Sequence, residues 1–189
     1  MQRTKLMLRA ALAVAILAVF SQITFPIGVI PVTLSVLAVF LTAWLLPPCW
    51  AAAAALIYVL LGAFGVPIFS GFQGGISRLL GPTGGFLIAY PFMALISSRF
   101  IRMGKWASVS AEDVGGKRQA DTMRIIYALI GMVLSIVLCH VLGILRLKVV
   151  MEIPLREAFL LGSLPFIPLD FAKAAVAAVM IWRLPRWIQ

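Results

Sequence analysis

The fold class is decided by the stretch PLDFAKAAVAAVMIW at residues 168–182. Most of it is apolar, and Pro168 suits the first turn of a helix because its missing N–H needs no partner there. Asp170 and Lys173 are three residues apart, so a helix puts both charges on one face. A charge near a bilayer core costs roughly 2.5–3.5 kcal/mol on insertion scales, so it normally faces a partner, a cavity or a ligand. Two interpretations stay open: a functional pair, or an ion pair that anchors the helix end.

The chain as a whole is too apolar for a soluble domain. Of its 189 residues, 63% are hydrophobic, and the mean hydropathy is +1.10. The long apolar runs end in Arg, Lys, Pro or Gly, which is typical of membrane helices rather than of barrel strands with alternating polarity. The net charge of +10 comes from short loops beside these runs, so membrane topology explains it better than nucleic-acid binding does. We therefore predict an all-α integral membrane protein.

Six apolar segments are predicted to span the membrane as a single domain. Residues 104–121 are predicted as a polar cytoplasmic loop, residues 66–83 as an outer glycine-rich loop, and residues 154–164 as a short helix at the outer interface. The approximate limits of the six spans are 6–25, 31–46, 49–65, 84–103, 122–145 and 168–183.

The outer loop is unusual in composition, since Val66 to Phe86 contains six glycines. Irregular backbone at membrane depth is tolerated only where protein or water satisfies its polar groups. We therefore expect this loop to fold onto the helix ends and to cover a pocket. No Gly-Lys-Ser/Thr follows the glycines, which excludes a phosphate-binding loop.

The basic residues indicate the orientation. The N-terminus, the predicted loop 104–121 with its flanks, and the C-terminus hold 11 Lys and Arg residues, whereas the opposite loops hold four. By the positive-inside rule both termini are cytoplasmic. Asp170, Lys173 and the glycine-rich loop then meet on the outer side, where a solute arrives from outside.

The residues at that outer end suit a small amphipathic solute. Asp170 can accept hydrogen bonds from N–H groups, and Lys173 can donate to a carbonyl or pair with an anion. Arg78 either attracts a carboxylate or extends to water. Tyr90 either walls the pocket or packs in the core.

No catalytic constellation is present in the sequence. Cys49, Cys139 and the single histidine, His140, form neither a disulfide framework nor a zinc site. A Walker motif and a proton relay are also missing, which favours a small-solute binder or carrier with no cofactor and no metal. The alternatives from other classes are a membrane enzyme that uses Asp170 as acid or base, and a structural subunit that binds nothing small.

One stripe of the first span consists of small residues. Ala11, Ala15 and Ala18 recur at spacings of four and three, which lets another backbone approach closely. The spacing fits internal packing and docking of another subunit equally well.

Four motifs follow one another along nearly the whole chain: IPVTL (30–34), GAFGVPIF (62–69), LGPTGGFL (80–87) and LPFIPLDFAK (164–173). Together they resemble the BioY family, the biotin-binding S components of energy-coupling factor (ECF) vitamin transporters. The most specific segments are the Gly-Pro-Thr-Gly-Gly and Pro-x-Asp-x-x-Lys patterns, although Ser35 stands where the family has Gln and Leu169 where it usually has Gly.

The resemblance implies a six-helix S-component fold in the cytoplasmic membrane of a prokaryote. It assigns the family's paired Asp and Lys to Asp170 and Lys173, and its docking motif to Ala11 and Ala15. The implied partners are a transmembrane coupling protein and two cytoplasmic ATPases, which would explain the missing Walker motif. The remaining expected pocket residues are Thr33, Gly71, Gly74, Gly75, Ser77, Arg78, Thr83, Gly84, Phe86 and Tyr90.

The implied ligand, biotin, offers a ureido group with two N–H donors and one carbonyl, an apolar ring and a carboxylate tail. In one pose Asp170 accepts a ureido N–H, Lys173 donates to the ureido oxygen, and the tail lies toward the loop. In the rival pose Lys173 binds the tail carboxylate. Other possibilities are an S component for another vitamin and a solitary carrier that works without ATPases.

Overall fold

The computed structural model describes residues 2–25 and 30–183, and over residues 110–115 it describes the backbone alone. The chain is mostly helical. Its elements in order are α1 (Gln2–Gln22), β1 (Thr24–Phe25), β2 (Val32–Thr33), α2 (Ser35–Leu45), α3 (Pro48–Ala63), α4 (Ile76–Leu80), α5 (Gly84–Met151), α6 (Leu155–Gly162) and α7 (Ile167–Arg183).

Three helical segments are long and apolar enough to cross a membrane: Gln2–Gln22, Gly84–Val109 and Gly116–Met151. A fourth candidate is the pair α6 and α7, which meet at a bend of 46°. Two further helices, α2 and α3, are apolar but shorter. The described residues thus form a helical, multi-pass membrane protein.

The element α5 consists of two antiparallel halves. Gly116 interrupts the helix with φ +73° and ψ 179°. Two close contacts join the segments on either side of this break. Phe100 Cβ packs against Gly131, and Tyr127 Cβ packs against Gly104, because neither glycine has a side chain in the way. These pairings bring the two halves side by side in opposite directions.

Residues 104–121, predicted as a cytoplasmic loop, are helical apart from the break at Gly116. Their position on the cytoplasmic side of the membrane stays a prediction. The cluster of charges there suggests a loop, but Ala, Glu, Lys, Arg and Gln are good helix formers. The charged ends of both halves continue as helix beyond the apolar segments, and one glycine with positive φ makes the reversal.

The core is formed around α2, whose residues from Ser35 to Trp44 are all buried. It packs against α1, α3, α5 and α7. The faces of α3 and α7 in this core are rich in alanine, including Ala51, Ala54, Ala174 and Ala177. Small side chains allow the helices to lie close together without large ridges.

Two connections at one end of the bundle contain regular structure in their described residues. β1 and β2 form an antiparallel pair that matches Thr24 with Thr33 and Phe25 with Val32. The predicted glycine-rich loop lies between α3 and α5, with a bridge between Phe69 and Gln73 and the short helix α4. The ends of α1 and α3 and the beginnings of α2 and α5 therefore lie next to these connections.

Candidate functional site

A cavity of about 300 Å³ opens among these helix ends and the glycine-rich loop. Such a volume suits a small ligand rather than a macromolecule. The lining residues are Ser21, Ile30, Pro31, Thr33, Ser35, Tyr58, Phe69, Ser70, Gly71, Gln73, Arg78, Thr83, Phe86, Leu87 and Tyr90.

Aromatic rings form one wall of this cavity. Tyr58 and Tyr90 are stacked with ring centroids 6.3 Å apart, and Phe69 meets Tyr58 edge-on at 5.6 Å. The buried phenol groups are held by serines: the Tyr58 hydroxyl lies 2.7 Å from Ser21 Oγ, and the Tyr90 hydroxyl lies 2.6 Å from Ser35 Oγ. The wall is therefore an apolar surface whose polar atoms already have partners, which suits an apolar ring.

A smaller cavity of about 60 Å³ adjoins the first and shares Ile30, Pro31, Thr33, Phe86 and Tyr90 with it. Asp170 and Lys173 lie on its far side. Both side chains are buried, at 6% and 8% exposure, and Lys173 Nζ donates to Asp170 Oδ1 at 2.6 Å. The two opposite charges predicted on one helix face are thus in direct contact and border the cavity.

A histidine on α5 completes this charged group. His140 Nε2 lies 3.3 Å from the other carboxylate oxygen, Asp170 Oδ2, although not in hydrogen-bond geometry. On its opposite side, His140 Nδ1 lies 2.6 Å from Ser163 Oγ, and the ring meets Phe86 edge-on. Asp170 is therefore enclosed by Lys173 from its own helix and by His140 from α5.

The loop that roofs the larger cavity is tied to two helices. Gln22 Nε2 donates to the carbonyl of Ile68 at 3.1 Å, and Gln22 Oε1 accepts from the N–H of Phe72 at 2.8 Å. Tyr58 also donates to the Ile68 carbonyl, at 3.2 Å. Gly71 turns the loop with φ +72°, a conformation that L side chains rarely adopt.

The predicted pocket residues fall into two groups. Thr33, Gly71, Arg78, Thr83, Phe86 and Tyr90 line the larger cavity, and Asp170 and Lys173 line the smaller one. Four others line neither cavity: Gly74, Gly75, Ser77 and Gly84.

Two of the three glycines among these residues have no room for a side chain. A Cβ on Gly74 would lie 2.5 Å from the carbonyl oxygen of Val66, and a Cβ on Gly84 would collide with the backbone of Leu79. Gly75 has φ +100°, and Ser77 lies exposed in α4. These residues shape the loop around the cavity instead of touching its contents.

Sequence reasoning missed several lining residues, chiefly Tyr58, Ser21 and His140. For His140 a signal exists, because an ionisable residue inside an apolar span is a candidate for a functional role. Ser35, which stands at the motif position where the resemblance expects Gln, also lines the larger cavity. For Ser21 and Tyr58 no local signal exists, since their hydroxyl pair joins two different helices.

The predicted docking residues Ala11 and Ala15 are exposed on α1. The opposite face of this helix, with Ala10, Ala13 and Leu17, is buried in the bundle. Packing among the described residues therefore leaves the stripe of Ala11 and Ala15 uncovered.

Fold and site together define a helical membrane protein with a pocket for a small solute at one end of its bundle. The chain belongs to the BioY family, whose family model matches residues 1–189.

Two relatives illustrate the similarity. A probable biotin transporter BioY from Pyrococcus horikoshii is 38% identical over 92% of this chain and 92% of the relative. The biotin transporter BioY2 from Lactococcus lactis subsp. cremoris is 36% identical over 95% of this chain and 90% of the relative. Both relatives are named as transporters. Their names disfavour the alternative that this protein is a membrane enzyme.

A solved structure has the same fold. The crystal structure of the S-component for biotin from an ECF-type ABC transporter superposes with a TM-score of 0.78 at 24% sequence identity. The superposition covers 96% of this chain and 91% of the other.

Proposed function

We propose that this protein captures biotin and takes it up across the cytoplasmic membrane of a prokaryote, as the substrate-binding S component of an ECF-type ABC transporter. The names of its relatives and the S-component fold support the assignment. The observation that carries it is the buried Asp170–Lys173 pair beside an aromatic-walled cavity. A carboxylate and an ammonium side by side match the N–H donors and the carbonyl of a ureido group.

In the proposed pose the ureido group lies in the smaller cavity against Asp170 and Lys173. The apolar ring contacts Tyr58, Tyr90 and Phe86, and the tail carboxylate extends toward Arg78 under the glycine-rich loop. The cavities meet where they share Tyr90 and Phe86, so one ligand can occupy both. The pose gives each charged or polar part of biotin a counterpart of matching chemistry.

The membrane topology we propose has six spans: α1, α2, α3, the two halves of α5, and α7. Both termini lie in the cytoplasm, so the cavities and the glycine-rich loop face outward. With 11 residues, α2 is about 16 Å long, too short for the full hydrocarbon thickness, and the extended residues before it complete the crossing.

We further propose that α1 docks a transmembrane coupling protein through Ala11 and Ala15, and that two cytoplasmic ATPases drive transport through that protein. Support comes from the exposure of both alanines beside the exposed side chains of Leu8, Leu12 and Val19. Small residues flanked by larger apolar ones allow close helix contact within a membrane.

Calorimetry of biotin binding to the purified protein in detergent tests the substrate. One-to-one binding that Lys173→Ala abolishes, and that Lys148→Ala leaves intact, is the expected result. Lys148 is the matched control because it lies exposed on α5 away from both cavities. Absence of binding by the folded wild-type protein would overturn the biotin assignment.

A further inference from the structure

A second concave site lies far from the pocket. This arginine cavity, of about 330 Å³, is lined by Arg99, Arg102, Met103, Trp106 and Tyr127. Phe86, which lines the pocket, and Arg102 are 16 residues apart on the same half of α5, or about 24 Å along the helix axis. The arginine cavity therefore cannot share a ligand with the candidate site.

The arginine cavity carries the positive charge of its two arginines. Arg9 from α1 lies close enough to Arg102 to add a third positive charge. Arg102 Nε is buried and has no hydrogen-bond partner among the residues that the structure describes. Since a buried donor without a partner is costly, this arrangement fits a site that an anion completes.

The surroundings of the arginine cavity indicate what carries the anion. Ile88, Phe92 and Leu95 are exposed on α5 and continue at spacings of four and three to Arg99, Met103 and Trp106. One face of the helix thus presents an apolar stripe that ends in guanidinium groups. Trp106, 80% exposed, and Tyr127 stand at this end, as aromatic residues do at a membrane interface.

We infer that the arginine cavity binds the phosphate of an anionic phospholipid, whose acyl chains lie along Ile88, Phe92 and Leu95. Basic pockets between helix ends bind such headgroups through charge and hydrogen bonds. Two arginines present several N–H donors to one phosphate, which a dispersed surface charge does not. The positive-inside rule accounts for positive charges at a helix end. It does not account for a concave site with a buried guanidinium nitrogen that has no hydrogen-bond partner among the described residues.

Native mass spectrometry of the full-length protein in detergent, titrated with phosphatidylglycerol or with phosphatidylcholine of the same acyl chains, tests the inference. The wild type is expected to bind phosphatidylglycerol preferentially, and Arg99→Gln with Arg102→Gln to weaken that binding about 30-fold. The matched control is Arg3→Gln with Lys5→Gln, which removes the same charge from α1 outside the cavity. Equal losses in both double variants would show diffuse attraction and overturn the site.

Two further measurements test the site if the double variant does not fold or if free phosphate is the ligand. Arg99→Gln alone changes an exposed side chain, so it should fold and weaken phosphatidylglycerol about fivefold, even if the double variant does not fold. Unchanged binding in this variant would contradict the inference. Millimolar inorganic phosphate is expected to leave the bound lipid in place, whereas its complete displacement would identify free phosphate as the ligand and overturn the lipid.

Discussion

Asp170 Oδ2 of α7 lies 3.3 Å from His140 Nε2 of α5, and this contact joins the two helices beside the smaller cavity. Ser163 at the other ring nitrogen, 2.6 Å away, fixes the ring plane. When Ser163 donates to Nδ1, the proton of a neutral ring lies on Nε2, which is near the carboxylate but outside hydrogen-bond geometry. His140 is thus suited to hold the Asp170 carboxylate in place for a ligand.

Replacing His140 with Phe should weaken biotin binding about tenfold, because Asp170 loses one of its two flanking groups and Ser163 loses its partner. His140→Gln keeps an amide N–H donor and should lose less. Calorimetry measures both.

The control for His140 is Ser135→Ala, on the same half of α5 as His140. It removes the buried hydrogen bond that Ser97, on the other half, donates to Ser135. That bond lies away from both cavities, so biotin affinity should not change. Equal affinity of wild type and His140→Phe would show that the histidine serves packing alone.

Asp170→Asn should reduce biotin affinity by at least 100-fold and destabilise the protein by about 3–5 kcal/mol, because it leaves the buried ammonium of Lys173 without its counter-charge. The double variant Asp170→Asn with Lys173→Met removes both charges. It should recover most of the stability but none of the binding. Thermal unfolding in detergent and calorimetry separate the two effects.

The outcome that contradicts this interpretation is a double variant no more stable than Asp170→Asn alone. The ion pair would then not be the reason for the destabilisation. An enzyme would behave differently again, since Asp170→Asn would abolish turnover while substrate binding persisted.

Much of this site follows from local sequence patterns, and the rest depends on packing. Asp170 and Lys173 share a face because they are three residues apart on one helix, so their contact is foreseeable from sequence. His140 is 30 residues from Asp170, and only the packing of α5 on α7 brings them together. The hydroxyl pairs of Tyr58 and Tyr90 likewise join separate helices.

The fold shows the same division. The apolar composition predicts the helices, because each segment is by itself apolar enough to be buried in a membrane. The helical structure around the reversal in α5 could not be predicted from the charged residues there, because such residues occur both in exposed helices and in loops. A positive φ at Gly116 and close contacts at Gly104 and Gly131 make the helical hairpin. The sequence alone does not show that these three glycines have this role.

Gly131→Ala should lower the apparent melting temperature of the protein, because the added methyl group meets Phe100 Cβ, which cannot move without its backbone. Overpacking of this kind costs about 1–3 kcal/mol. Gly162→Ala is the control, since the one atom that its methyl group would approach within 3 Å is at the flexible end of the Leu147 side chain. If both variants melt alike, the two halves of α5 do not approach as closely as described.

Biotin methyl ester distinguishes the two poses of the ligand. In the proposed pose the tail carboxylate faces Arg78, which is only half-buried, so loss of that ion pair costs about 0–1 kcal/mol and affinity falls less than fivefold. Arg78→Gln should have the same small effect on biotin and none on the ester, because the ester has no charge to lose.

In the rival pose the ester leaves the buried Lys173 ammonium without its ligand partner, which costs about 1–3 kcal/mol. Arg78→Gln then changes the affinity for neither ligand. Calorimetry of the four combinations decides: a large loss with the ester that does not depend on Arg78 overturns the proposed pose, while the pocket and its buried ion pair keep their role in binding.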